Sequence, residues 1–186
     1  MGYPADHKEK TRQRIIHSAR KLWKTKGYGG ASVDAVMKDA DLTRGGFYAH
    51  FKSKDDLLVT ALHENKMLDG LKKLREKGIV DPFEQQKAIL DWYLGVYHRD
   101  HPENGCPLTA LTQETPRLNE KPRKVISAAI RRFGKWLSGE DNNKNGLAVV
   151  SMMIGAVTLS RAVGEGDLSN RILIEAKEEA EKILGL

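Results

Sequence analysis

Helical spacing governs nearly the whole chain and sets the tightest limit on its fold. Apolar residues recur at one, three and four positions through every substantial segment, and no stretch keeps the strict alternation of a half-buried strand. The first stripe is Ile15, Ile16, Ala19, Leu22 and Trp23. It is expected to start at Asp6, with Glu9 three residues on as a capping box, and to stop at Gly27. Ser32 then caps a short helix carrying Val33, Val36, Met37 and Ala40, and Thr43 caps another carrying Phe47, Tyr48 and Phe51. Ser53 and Asp56 form a second box ahead of a long helix running to Gly78. Asp81-Pro82-x-Glu84 opens a fifth helix holding Ile89, Leu90, Trp92, Tyr93, Val96 and Tyr97. His101 to Pro107 reads as a loop, and Pro116 and Pro122 bracket another break. Helices follow over 123–137, 145–163 and 169–184. The expectation is an all-α chain of about nine helices.

With 186 residues, the chain is long enough to bury roughly two-thirds of its unfolded surface. The single cysteine, Cys106, excludes an internal disulfide and suits a reducing, cytoplasmic setting. No basic-then-apolar leader opens the sequence. The longest uncharged run, Asn145 to Ser160, is shorter than the roughly twenty residues of a membrane helix, so no membrane partner is expected. The net charge of +6 is unevenly spread. Residues 1–56 hold twelve Lys/Arg against seven Asp/Glu, whereas the remainder holds nineteen against eighteen. A basic excess confined to one end points to a polyanionic partner, nucleic acid or a membrane surface, and on charge alone an ordinary solvated face is an equal alternative.

The stretch SVDAVMKDADLTRGGFYAHFKSK, from Ser32 to Lys54, places two short helices with only Asp41-Leu42 between them. That is a helix-turn-helix spacing, whose second helix enters a major groove. Asp is one of the few non-glycine residues that tolerates the left-handed backbone such a turn demands. Gly45 and Gly46 stand together in the second helix, where each costs about 1 kcal/mol relative to alanine. A reason to accept that cost is close approach of the backbone to another surface. Arg44 can reach a guanine edge with two hydrogen bonds, while Tyr48, His50 and Lys54 are spaced to bracket phosphates. The plainer alternative is a helical hairpin with a fraying end.

The string ADLTRGGFYAHFKSKDDLL, residues 40–58, closely resembles the N-terminal signature of the TetR family of transcriptional regulators. The likeness extends over residues 8–58, through Gly27-Tyr28, Ala31-Ser32-Val33 and Tyr48-x-His50-Phe51-x-x-Lys54. One departure is Asp41, where family members commonly carry glycine. The resemblance implies a three-helix DNA-binding head, residues 1–53, and a helical ligand-binding and dimerisation body, residues 54–186. It implies a homodimer that binds a palindromic double-stranded operator and is released by a small-molecule effector. Thr43, Arg44, Gly45, Gly46 and Tyr48 then correspond to groove-facing positions, and Tyr28, Ser32, His50 and Lys54 to phosphate contacts.

In the remainder, the segment 145–163 is apolar nearly all round, with small residues at Ser151, Gly155, Ala156 and Ser160. Together with the stripe Ile172, Leu173, Ala176, Ala180, Ile183 and Leu184 it can pair with a second subunit or fill one core. Trp92, Tyr93, Tyr97, Phe133, Trp136, Met152 and Met153 can line an apolar pocket for an aromatic effector, or serve as core. Cys106, expected at a helix start, is a candidate electrophile or redox sensor, or an inert small residue. His98, His101 and Cys106 have irregular spacing for a metal site, and no metal or cofactor is expected. No catalytic constellation is present, and Gly45-Gly46 lacks the GK[ST] of a phosphate loop.

Overall fold

The computed structural model describes residues 5–63, 66–139 and 145–186. Every regular element among these residues is a helix, ten α-helical and three 3-10. The chain divides into two units, the N-terminal segment up to residue 64 with Ala110–Ile126, and residues 65–109 with 127–186.

The first unit holds α1 (Ala5–Gly30), α2 (Val33–Asp39), a 3-10 helix (Arg44–Ala49) and α3 (Lys54–His63). The helical run of α1 breaks at Gly27, where φ is 74° and ψ 168°. Its expected stripe is the buried one: Ile15, Ile16, Ala19, Leu22 and Trp23 meet Val36, Met37, Phe47, Phe51, Leu57 and Leu58 in one core. Removing a Leu or Ile from such a core costs roughly 2–5 kcal/mol. The second capping box forms as read: Ser53 Oγ accepts from Asp56 N–H at 3.1 Å, and Asp56 Oδ2 accepts from Lys52 N–H at 3.0 Å. Three arginines of α1 reach backbone carbonyls at the ends of other elements. Arg12 donates to His50 O at 2.8 Å, Arg14 to Ala40 O at 2.7 Å, and Arg20 to Ala61 O at 3.0 and 2.8 Å. Cations there satisfy terminal carbonyls and complement the negative helix end.

The second unit contains α4 (Lys66–Glu76), α5 (Pro82–Tyr93), α6 (Val96–Asp100) and a 3-10 turn (Pro102–Asn104). Further along come α7 (Pro107–Leu111), α8 (Glu120–Ser138), α9 (Gly146–Ala162) and α10 (Asp167–Leu184), while the end of α7, a 3-10 turn (Thr115–Arg117) and the start of α8 fall in the first unit. The core of the second unit gathers Leu90, Tyr93, Phe133, Leu137, Val149, Val150, Met153, Val157, Leu173, Ala180 and Leu184. Two buried or half-buried arginines stitch α6 to α9 and α10. Arg99 pairs with Asp100 at 2.6 Å and donates to Ser169 Oγ and Asn170 Oδ1, while Arg161 donates to the carbonyls of Arg99 and His98.

Several boundaries correct the sequence reading. The fifth helix does not reach Tyr97: it ends at Tyr93, and Gly95, with extended backbone, starts α6 afresh. The break expected between Pro116 and Pro122 is present but shorter, since the helix expected from Arg123 starts at Glu120: proline in the first turn of α8 displaces no helical hydrogen bond. Thr43 stands at the N-cap of the 3-10 helix yet makes no side-chain cap bond. The long helix expected from Ser53 to Gly78 passes through residues 64 and 65, which lie outside the described residues; on either side are α3 and α4, the latter ending at Glu76.

Candidate nucleic-acid interface

The turn between the two short helices closes α2 with a Schellman pair. Asp41 N–H donates to Lys38 O at 3.0 Å and Leu42 N–H to Met37 O at 2.9 Å. Asp41 takes the left-handed position, at φ 54°, and is the one non-glycine residue with positive φ among those described. This is the backbone the sequence demanded, with aspartate where glycine would be unstrained.

The second helix is 3-10 rather than α over Arg44–Ala49. Two adjacent glycines and a missing cap weaken α-helix formation there, and tertiary anchoring takes over. Phe47 and Phe51 supply it, buried with ring centroids 5.8 Å apart. Opposite them, Thr43, Arg44, Gly45, Tyr48 and Ala49 are exposed, and Gly46 and His50 half-buried. A Cβ built on Gly45 would meet nothing within 4 Å, and one on Gly46 only Met37 Cε at 3.7 Å. Neither glycine has a positive φ. Packing within this chain therefore requires neither.

The remaining candidates make contacts of their own. Arg44 is exposed and pairs with Asp34 at 3.0 Å, a contact worth at most about 1 kcal/mol and readily exchanged. Tyr48 stands out at 66% exposure, its ring edge on Phe47. Ser32 caps α2, its oxygen accepting from Ala35 N–H at 3.1 Å. His50 Nδ1 is buried with no hydrogen-bond partner, and burial, with Lys8 and Arg12 nearby, pushes its pKa down. Lys54 turns inward, donating to Tyr28 O, with its ammonium 4.0 Å from the Tyr28 ring centre. Burial lowers its pKa, and the carboxylates of Glu114 and Asp55 oppose that shift. Tyr28 donates its hydroxyl to Asp55 and is pushed well above the ordinary tyrosine pKa, first by burial and then by that carboxylate.

The effector candidates are more scattered. Tyr93, Phe133 and Met153 are buried in the core of the second unit, and Trp136 and Met152 are half-buried against it. Trp92 and Tyr97 are exposed, stacked on His98 at 4.6 Å and His101 at 4.2 Å. Cys106 is half-buried, and its thiol lies against the Tyr93 hydroxyl, whose pKa burial raises strongly. His98 has both ring nitrogens engaged, one with Tyr93 O at 2.7 Å and Nε2 accepting from Cys106 N–H at 2.9 Å. That arrangement fixes a neutral tautomer and leaves no lone pair for a metal. No group of three His, Cys, Asp or Glu suited to a metal exists among the described residues.

Residues 15–61 match the family model described as bacterial regulatory proteins, tetR family. AcrR of Shigella flexneri, an HTH-type transcriptional regulator, is 41% identical over 84 residues, 44% of this chain and 39% of that one. LmrA of Bacillus subtilis, also an HTH-type regulator, is 25% identical over 166 residues, 81% of this chain and 86% of its own. The crystal structure of a TetR-family regulator from Agrobacterium tumefaciens superposes with a TM-score of 0.76 at 22% identity, covering 95% of this chain and 98% of that one.

Residues 15–61 match the TetR family, and the chain as a whole shares its fold.

The TetR match spans every DNA-facing candidate from Tyr28 to Lys54 and none of the effector candidates. The likeness of the remainder is a likeness of fold. Sequence reasoning missed the α1 arginines, since a cation at the edge of an amphipathic helix looks the same wherever it points. It also missed Glu114 and Asn119, which reach the TetR head from far along the chain with no local signal. Among the described residues no helix is long and apolar enough to cross a membrane.

Proposed function

We propose that this TetR-family transcriptional regulator is a repressor that binds a palindromic operator as a homodimer and leaves it when a small apolar or aromatic effector binds. Residues 1–53 read the duplex, and residues 54–186 bind the effector and dimerise. The observation that carries this reading is the Gly45–Gly46 edge: two glycines, costly in a helix, that nothing inside the chain calls for. A duplex pressed against that edge supplies the reason. Arg44 and Tyr48 flank it in the open, and Thr43 adds a hydroxyl with no cap to make. Tyr28, Ser32, His50 and Lys54 are taken as phosphate contacts, which position the head while base contacts specify sequence.

A second copy of the chain is supported by α9. Ala148, Ser151 and Leu159 are exposed and Gly155 half-buried along one stripe, although the helix bears no charge before Arg161. On α10, Leu168 and Ile174 are exposed as well. An apolar helix with a bare stripe of small residues suits a twofold partner. For the effector, the aromatic and methionine set around Tyr93 and Phe133, with Trp92, Tyr97, Trp136, Met152, Met153 and Cys106, offers apolar surface with few polar tips.

The test is selection of bound duplexes from a random pool, followed by titration of the winner with wild type, Arg44→Ala and Tyr48→Ala. The reading predicts an inverted repeat whose half-site centres lie about 34–36 Å apart. It also predicts losses of roughly 1–3 kcal/mol for Arg44→Ala if that residue makes a bidentate base contact. Enrichment of no sequence would favour an architectural DNA binder instead.

A further inference from the structure

Tyr28 is held at four points, and two of the groups involved arrive from the segment Ala110–Ile126. Glu114 spans the turn after Gly27 with both oxygens, Oε1 accepting from Tyr28 N–H at 2.7 Å and Oε2 from Gly29 N–H at 2.8 Å. Those two N–H groups are exposed by the break in α1, and a paired carboxylate satisfies both with charge-assisted bonds. The fit is close: a Cβ on Gly27 would stand 2.4 Å from Glu114 Oε1. The Tyr28 carbonyl takes the Lys54 ammonium, the ring lies beneath it, and the hydroxyl donates to Asp55. Asn119 donates to the other oxygen of Asp55.

The two side chains at the centre of this arrangement, Tyr28 and Lys54, are both read above as phosphate contacts. We propose that Glu114 is a positioning residue for operator binding: it sets the posture of the Tyr28 turn and, through the Tyr28 carbonyl, of Lys54. Glu114 itself touches no DNA, since an anion at the duplex would be repelled. Its action is to keep a flexible four-carbon ammonium held on the Tyr28 turn, half-buried, instead of dispersed over many rotamers, which lowers the ordering cost of a phosphate contact. The inference rests on the DNA-reading assignment of the head.

The experiment uses the full chain as wild type, Glu114→Ala, Glu114→Gln, Lys54→Ala and the Glu114→Ala/Lys54→Ala double variant. Affinity for the selected duplex and for a random duplex is measured over a salt series, below the melting transition of each protein. Glu114→Ala is expected to weaken binding to both duplexes about tenfold and to reduce the slope of log affinity against log salt by about one. Glu114→Gln, which keeps one acceptor oxygen, should lose less. In the double variant the loss should barely exceed that of Lys54→Ala alone, because the two act through one contact. Independent, multiplying losses would overturn the proposal, as would a lower melting temperature with affinity and salt slope unchanged. If Glu114→Ala fails to fold, Glu114→Gln and Asn119→Ala carry the same comparison. A wild type that binds no duplex at all would defeat the DNA reading and this inference with it, whereas a binding wild type with indifferent Glu114 variants defeats only the inference.

Discussion

At Gly45 the demands of folding and of binding point in opposite directions. Replacing it with alanine adds a methyl that meets no atom of the chain, and removes a residue that disfavours a helix. Gly45→Ala should therefore leave stability unchanged or raise it by up to about 1 kcal/mol in urea unfolding, while weakening duplex binding. Gly27 is the opposite case: its φ is 74° and the Glu114 carboxylate fills the space beside it. Gly27→Ala should destabilise by more than about 1 kcal/mol in the same assay. His50 gives the head a pH signature. Its folded pKa lies below the ordinary value, so the folded head favours the neutral ring and the unfolded chain takes up the proton more readily. The stability this contributes is fully present above the ordinary histidine pKa of about 6.5 and is lost as pH falls through the folded value. Unfolding measured between about pH 7 and pH 5 should show a smaller loss for His50→Gln than for wild type. At this scale Asp41 was legible, because a tight turn allows so few residues. Arg12, Arg14 and Arg20 were not, because the carbonyls they cap belong to other elements.

Among the elements, caps and stops were readable wherever the bond was local. Asp81 caps α5 by accepting from Glu84 N–H at 2.9 Å, with Pro82 behind it, as its spacing announced. Ser53 and Asp56 did the same for α3. Elements decided by distant packing were not readable. The 3-10 form of Arg44–Ala49 needs the seating of Phe47 and Phe51 in the core, added to the weak local helix preference of the glycine pair. The proposed pairing of α9 and α10 with a second subunit yields its own prediction. A Cβ on Gly155 meets nothing within 4 Å, so Gly155→Glu leaves the fold of one chain intact but buries a carboxylate between copies. Light scattering should show a dimer for wild type and a monomer for Gly155→Glu, with unchanged helical circular dichroism. A wild-type monomer would remove the twofold reading.

For the molecule as a whole, the sequence disclosed the head far better than the rest. Residues 32–54 carry a function in their spacing, so their role could be argued from turn chemistry, glycine placement and charge. The core of residues 127–186 can be filled by many combinations of apolar side chains, and nothing in Trp92 or Tyr97 distinguishes a lining residue from an exposed one. The structure leaves both exposed, stacked on histidines. It also brings Glu114 and Asn119 onto the head, a joining of distant residues that no periodicity records. The most direct measurement of the central claim compares affinity for the selected duplex with that for a scrambled duplex of equal length and salt. The account predicts a preference of about a thousandfold or more that collapses in Arg44→Ala. Equal affinity for the two duplexes, or a preference that Arg44→Ala leaves intact, would contradict it.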